Sequence, residues 1–161
     1  MNPGVGRAGR ERVEADAKAR GLEVRYVERG NAHSLREAAD NLGIIPADIV
    51  KTLVVKRTDG SFLFALIPGG RKISWPKLRA AVGANKLAMP DAEVAFEATG
   101  YERGTITPLG SSTAWPVFAD ALIGRGDVAM GSGEHDYSLF VDAPALLRSF
   151  EATVADISEP E

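Results

Sequence analysis

The segment "DIVKTLVVKRTDGSFLFALIPGG", residues 48–70, constrains the fold more than any other stretch. Two apolar runs flank Asp59-Gly60, a pair suited to a two-residue type I′ turn, in which both central residues need φ > 0. Pro68, Gly69 and Gly70 end the second run. A β-hairpin is therefore predicted. Alternation along its first strand puts Ile49, Lys51, Leu53 and Val55 on one face. Val50, Thr52, Val54 and Lys56 take the other. Lys56 adjoins the turn, where a charge is ordinary. Lys51 interrupts an apolar face. An ammonium so placed finds an anion, loses its proton or reaches water along its stem. Near a strand start, strand physics alone favours reaching water.

The flanking segments read as short helices and short strands. "ERVEADAKARG" predicts a helix stopped by Gly21, with a strand at 24–27 after it. Ser34 and Glu37 form a capping box for a helix that Gly43 ends. Ser74 and Pro76 open a third helix, and Asp91 caps a fourth that Gly100 stops. Strands are expected near 116–123, 127–130 and 137–142, then a helix over 144–150. No internal repeat and no regular βαβ alternation occurs. The reading is one α+β domain over residues 10–161, with short helices flanking a curled, mixed, mostly antiparallel sheet that forms a partial barrel. Residues 1–9, "MNPGVGRAG", read as a mobile leader.

A chain of 161 residues can bury one sizeable core. Its net charge of −3 gives no overall attraction to nucleic acid, so any RNA contact rests on a local basic patch. The absence of cysteine excludes disulfides, thiolate metal sites and a thiol nucleophile. No cofactor or metal is expected, because His33 and His135, the only histidines, lack metal-ligand spacing. No apolar run is long enough to span a bilayer, and no secretory signal opens the chain. The cytoplasm is the default location.

Several motifs fall short of known chemistries. "GSGEHD" (131–136) lacks the order of a nucleophile elbow and reads as a tight turn that brings backbone near a ligand. "GGRK" (69–72) lacks the spacing of a P-loop. Arg71, Lys72, Lys77, Arg79 and Lys86 read as solvated surface, with a phosphate-contacting patch as the alternative. The loop "GYERGTITPLG" (100–110) is longer than a plain connection needs, and its glycines permit close backbone approach. It is a candidate binding loop.

In chain order, "REAADNLGI", Pro46, "IVKTLVV", the strand ending in "IPGG", "KLRAAVGANKLAM", "ATGYERGTITPLG", a glycine turn and "DAPALL" resemble the YbaK/ProX family. These are aminoacyl-tRNA deacylases related to the editing domain of bacterial prolyl-tRNA synthetases. The resemblance implies a YbaK-like fold and hydrolysis of the ester joining a wrong amino acid to the 3′-terminal adenosine of tRNA. The substrate it implies is tRNA-Pro carrying a small wrong amino acid. The implied partners are the aminoacyl-tRNA acceptor end and a prolyl-tRNA synthetase, with no membrane. The family's lysine falls on Lys51, followed by Thr52, and its Gly-x-x-x-Pro loop on Gly104 and Pro108. Lys51 and Gly104 are the implied catalytic residues. Thr105 and Gly110 share that loop, the late glycine turn falls on Ser132 and Gly133, and pocket-lining positions fall on Tyr26 and His33.

The implied chemistry uses the tRNA's own 2′-hydroxyl to orient water and the glycine-loop backbone to hold the ester. Lys51 then acts as a point charge on the terminal phosphate or ribose. Three departures bear on specificity. Thr105 stands where many relatives have a second glycine, Ser34 follows His33 where cysteinyl-specific relatives often carry an aromatic, and "GEHDYS" replaces a more basic turn. They leave the amino acid open and the reaction class in place. The alternatives are a non-catalytic tRNA- or synthetase-binding module of the same fold, and a small-molecule ester hydrolase.

Overall fold

The computed structural model describes residues 4–161, with side chains from Ala8 onward. The predicted hairpin forms as β2 (Val50–Arg57) and β3 (Phe62–Pro68). Its turn differs from expectation. The Arg57 N–H donates to Ser61 O (2.8 Å) and the Gly60 N–H to Arg57 O (3.3 Å). Gly60 takes a positive φ of 84°, and Asp59 does not. The loop is thus residues 58–60, a type I turn closed by a left-handed glycine. Asp59 Oδ1 accepts from the Ser61 hydroxyl (2.5 Å) and the Ser61 N–H (2.9 Å), a local bond that favours this longer turn.

Those bonds, the hydroxyl's first, hold the Asp59 carboxyl below its ordinary pKa. A carboxyl lowered in the folded state stabilises above its unfolded pKa of ~3.9. The contribution is lost as pH falls through the lower, folded value. Asp59→Asn should therefore flatten the acid limb of a plot of melting temperature against pH. An acid limb identical to wild type would exclude this role.

The central sheet runs β5 (Leu87–Ala88), β2, β3, β6 (Val117–Asp120), β9 (Thr153–Ala155). A second sheet orders β1 (Val24–Glu28), β8 (Tyr137–Asp142), β7 (Asp127–Gly131). A third pairs β4 (Arg71–Ile73) with β10 (Ser158–Pro160). Among the described strand pairs only β3–β6 and β6–β9 are parallel, so the α+β class with a mixed, mostly antiparallel sheet stands. The strands divide among three sheets, the first two joined at the Ile49–Ala129 bridge, and no barrel closes among the described residues.

Helices begin and end largely where their caps predict. Ser34 Oγ accepts from the Glu37 N–H before α2 (Leu35–Leu42), and Asp91 Oδ1 accepts from the Val94 N–H before α4 (Ala92–Thr99). Ser74 occupies the N-cap of α3 (Trp75–Val82) without a side-chain capping bond; its N–H donates to Ile157 O instead. Helix α5 is Ala143–Ser149. Helix α1 is Gly4–Ala19, so residues 4–9 of the expected leader are helical and residues 1–3 lie outside the described part.

β3 explains why the chain needs layers on both sides of its sheet. Phe64 and Leu66 face one core with Val50, Val54, Met130 and Leu139, closed by Val13 and Ala17 of α1. Leu63, Ala65 and Ile67 face a second core with Ile73, Leu78 and Ile157. A strand buried on both faces reads as an unbroken apolar run, which is the pattern of "FLFALI".

Candidate active site

The ladder of the hairpin leaves one edge of β2 bare. Gly69 N–H donates to Ile49 O and Arg57 N–H to Ser61 O, so the odd-numbered residues of β2 bond to β3. The peptide groups of Val50, Thr52 and Val54 point away from it. β5 covers this edge at Lys56 and Arg57, and β7 meets it at Ile49. Between those contacts lies a gap in the sheet.

A cavity of ≈ 660 Å³ opens on that gap. Val50, Val54, Ala95, Ile106 and Met130 supply apolar walls, and Gly104 and Gly131 supply backbone. Arg29 and Arg103 bring positive charge and Asp91 brings negative charge. The Thr52 side chain shares a face with Val50 and Val54, and its Oγ1 is shielded from solvent with no hydrogen-bond partner. An unpaired buried hydroxyl costs about 1–3 kcal/mol, so Thr52 carries unused bonding capacity in the cavity wall.

Lys51 lines the cavity as a residue, but its ammonium lies elsewhere. Nζ donates to Arg71 O (2.6 Å) and pairs with Glu161 Oε1 (3.0 Å). The charge on the apolar face thus finds an anion at the β4–β10 side. The same segment holds Arg71, whose Nε donates to Ser158 Oγ (2.7 Å), and Lys77, which pairs with Asp156 (3.0 Å). Much of the basic region is therefore spent within the fold.

Of the residues singled out from sequence, Lys51, Thr52 and Gly104 line one cavity. The others do not line it. Thr105 is buried, its hydroxyl donates to Glu102 O (2.8 Å), and its carbonyl accepts from the Gly133 N–H (2.9 Å). The two glycine loops are thereby tied together. Ser132 Oγ lies 2.9 Å from the carbonyls of Glu134 and Tyr137, bonded within its own turn. Tyr26 Oη sits 3.3 Å from Arg10 O and 3.2 Å from Ser132 O, and burial pushes its phenol pKa well up. Pro108 and Gly110 face α1 along a shallow groove on the outer side of the loop. His33 is exposed, its N–H donating to the Glu37 carboxylate (3.3 Å). His135 Nε2 meets Glu102 Oε2 at 3.0 Å, a second link between the loops.

Sequence reasoning did not single out Arg29 and Met130, and marked Arg103 and Ile106 only as members of the candidate binding loop 100–110. Asp91 was legible only as a helix cap. These side chains come from four separate segments, and nothing local marks them as neighbours.

A sequence profile described as an aminoacyl-tRNA editing domain matches residues 29–149. The chain belongs to that family. It is 29% identical over 126 residues to a proline–tRNA ligase of Bacillus licheniformis, a match covering 78% of this chain and 22% of that protein. A protein of Enterococcus faecalis described as a candidate Cys-tRNA(Pro)/Cys-tRNA(Cys) deacylase, EbsC, is 27% identical over 80% of this chain and 79% of its own length. A crystal structure described as a candidate trans-editing enzyme for prolyl-tRNA synthetase superposes with a TM-score of 0.81 at 27% identity, covering 99% of each chain. The chain spans about a fifth of the ligases it matches. No helix among the described residues is long and apolar enough to cross a membrane.

Proposed function

We infer that the protein is a trans-editing hydrolase acting on mischarged aminoacyl-tRNA, with tRNA-Pro bearing a small wrong amino acid as substrate. One observation carries the reading beyond family membership. The ≈ 660 Å³ cavity is lined by apolar side chains, Gly104 and Thr52, whose shielded hydroxyl has no protein partner. That volume suits a nucleoside with its aminoacyl group better than a free amino acid.

In the proposed reaction a water oxygen bonds to the ester carbon, the bond to the ribose oxygen breaks, and the ribose oxygen takes a proton. Backbone groups near Gly104 receive the developing oxyanion, where preorganised donors contribute most. A turn of the Thr52 side chain into the cavity lets its shielded hydroxyl bond the ribose edge or the attacking water. Lys51 serves as a positive charge at the acceptor end, which requires its ammonium to leave Glu161. Arg29 and Arg103 supply the local positive charge that the overall charge of −3 does not. Discrimination by cavity size is worth about 1–3 kcal/mol per methylene, so recognition of tRNA-Pro falls to the acceptor stem or to a prolyl-tRNA synthetase partner in the cytoplasm.

The test is a panel of mischarged tRNAs, with wild type, Lys51→Ala and Thr52→Val compared. Wild type should release small amino acids from tRNA-Pro, and folded Lys51→Ala should lose most of that activity. Thr52→Val should remain as stable as wild type or gain about 1 kcal/mol, because it removes an unpaired buried hydroxyl, while turnover falls. Near wild-type turnover in both variants would overturn the assignment. Binding of tRNA without hydrolysis would instead support the binding-module reading, and equal hydrolysis of small aminoacyl esters would support the small-molecule one.

A further inference from the structure

Among the described residues, none of helix α1 lines the cavity, and the helix precedes the residues the family profile matches. It nevertheless grips both loops that close the cavity. Arg12 Nη2 donates to Thr99 O (3.0 Å) and Arg12 Nε donates to Gly110 O (3.1 Å). One planar guanidinium therefore bridges the carbonyls at the two ends of the loop that carries Gly104. One turn further along α1, Asp16 Oδ2 accepts from the Gly110 N–H (2.8 Å). Both peptide groups of Gly110 are thus held by side chains four residues apart.

The loop is shaped to fit this grip. The Arg12 guanidinium lies 4.5 Å over the Tyr101 ring, and Tyr101 Oη donates to Leu109 O (2.6 Å), closing the loop across its base. Gly110 has φ +69°, and a Cβ there would stand 2.6 Å from Arg12 backbone and from Tyr101 Oη. A Cβ at Gly100 would stand 2.6 Å from Arg12 Nη2. The second loop is held by the same helix. Gly9 packs so closely on Gly133 that a Cβ would stand 2.2 Å from its carbonyl oxygen, and Arg10 pairs with Glu134 (3.3 Å).

We propose that Arg12 is a positioning residue: by bridging Thr99 and Gly110 it sets where Gly104 stands in the cavity wall, and so sets the rate of hydrolysis without touching substrate. Lysine cannot replace it, because a single ammonium lacks the rigid fork that reaches two carbonyls at once. The rate half of the proposal rests on the hydrolytic reading above; the loop half does not.

Arg12→Lys and Arg12→Ala test both halves on the full chain. Hydrogen exchange of the Thr105 and Gly110 amides should speed up by about 10-fold or more, while amides of β3 keep wild-type protection. With a mischarged tRNA that wild type hydrolyses, kcat should fall about 10- to 100-fold with KM within about twofold, the pattern of a displaced catalytic group. Millimolar guanidinium should partly restore Arg12→Ala, and ammonium should not. Unchanged loop exchange overturns the proposal, as does a loss carried by KM or unchanged kcat. A wild type that hydrolyses no aminoacyl-tRNA overturns the hydrolytic reading and the rate half with it, while the exchange measurement still decides the loop half.

Discussion

Gly131→Ala should lower both stability and activity more than its single methyl suggests. A Cβ at Gly131 would stand 2.0 Å from Ile106 O, 2.8 Å from Ile106 C and 3.1 Å from Thr105 O. All three are backbone atoms of the loop that carries Gly104, so no side chain can rotate away. Either β7 or the loop must move. Overpacking of this kind costs about 1–3 kcal/mol. For a domain of this size, each kcal/mol lowers the melting temperature by about 2–4 °C. Gly131 and Ile106 both line the cavity, so the displacement opens the gap beside Thr52, and turnover should fall further than the folded fraction does. Gly126→Ala is the matched control, because nothing lies within 4 Å of its Cβ position. It should stay within about 0.5 kcal/mol of wild type. Equal melting temperatures for the two variants would refute the close-packing argument.

Asp120→Ala should be the most destabilising single change at the far side of the sheet. Asp120 is 1% exposed, and its two oxygens accept from the Ile157 N–H (3.0 Å) and the Leu122 N–H (3.1 Å). Bonds to a charged group are worth roughly 1.5–3 kcal/mol each. Truncation removes both acceptors and leaves the buried Ile157 N–H without its partner, for a loss on the order of 3 kcal/mol. Asp120→Asn keeps one acceptor oxygen and should fall between. Denaturant midpoints should therefore rank wild type, then asparagine, then alanine; an alanine variant at least as stable as the asparagine one would dismiss this account. The effect extends to Lys51. Ile157 leads directly into β10, and β10 aligns Arg71 and Glu161, the two partners of the Lys51 ammonium.

Local chemistry made much of the fold legible. The hairpin, the glycine stops and the Ser34 and Asp91 caps depend on residues within a few positions of each other. The turn at Asp59 was misread because its side-chain bond to Ser61 competes with the two-residue alternative, and dipeptide identity does not reveal that bond. Strands β4, β5, β9 and β10 were missed because runs of two or three residues have no pattern of their own; pairing with distant partners makes them strands. Of the cavity lining, a motif in the sequence marked Lys51, Thr52 and Gly104. The cavity's remaining walls and its support are long-range. Arg12 reads as an ordinary helix charge until Thr99 and Gly110 are brought beside it.

The anchoring of Lys51 also orders the steps by which a growing chain completes its fold. The strand that bears it needs only the next few residues to form its hairpin, so β2 and β3 can pair early in synthesis. The carboxylate that holds its ammonium lies 110 residues later. Until that stretch has emerged and β10 has paired with β4, the lysine is free to sample solvent beside an incomplete sheet. A nascent chain therefore carries this lysine long before it carries the carboxylate that pairs with it. Ribosome-bound intermediates of increasing length would reveal when that pairing forms.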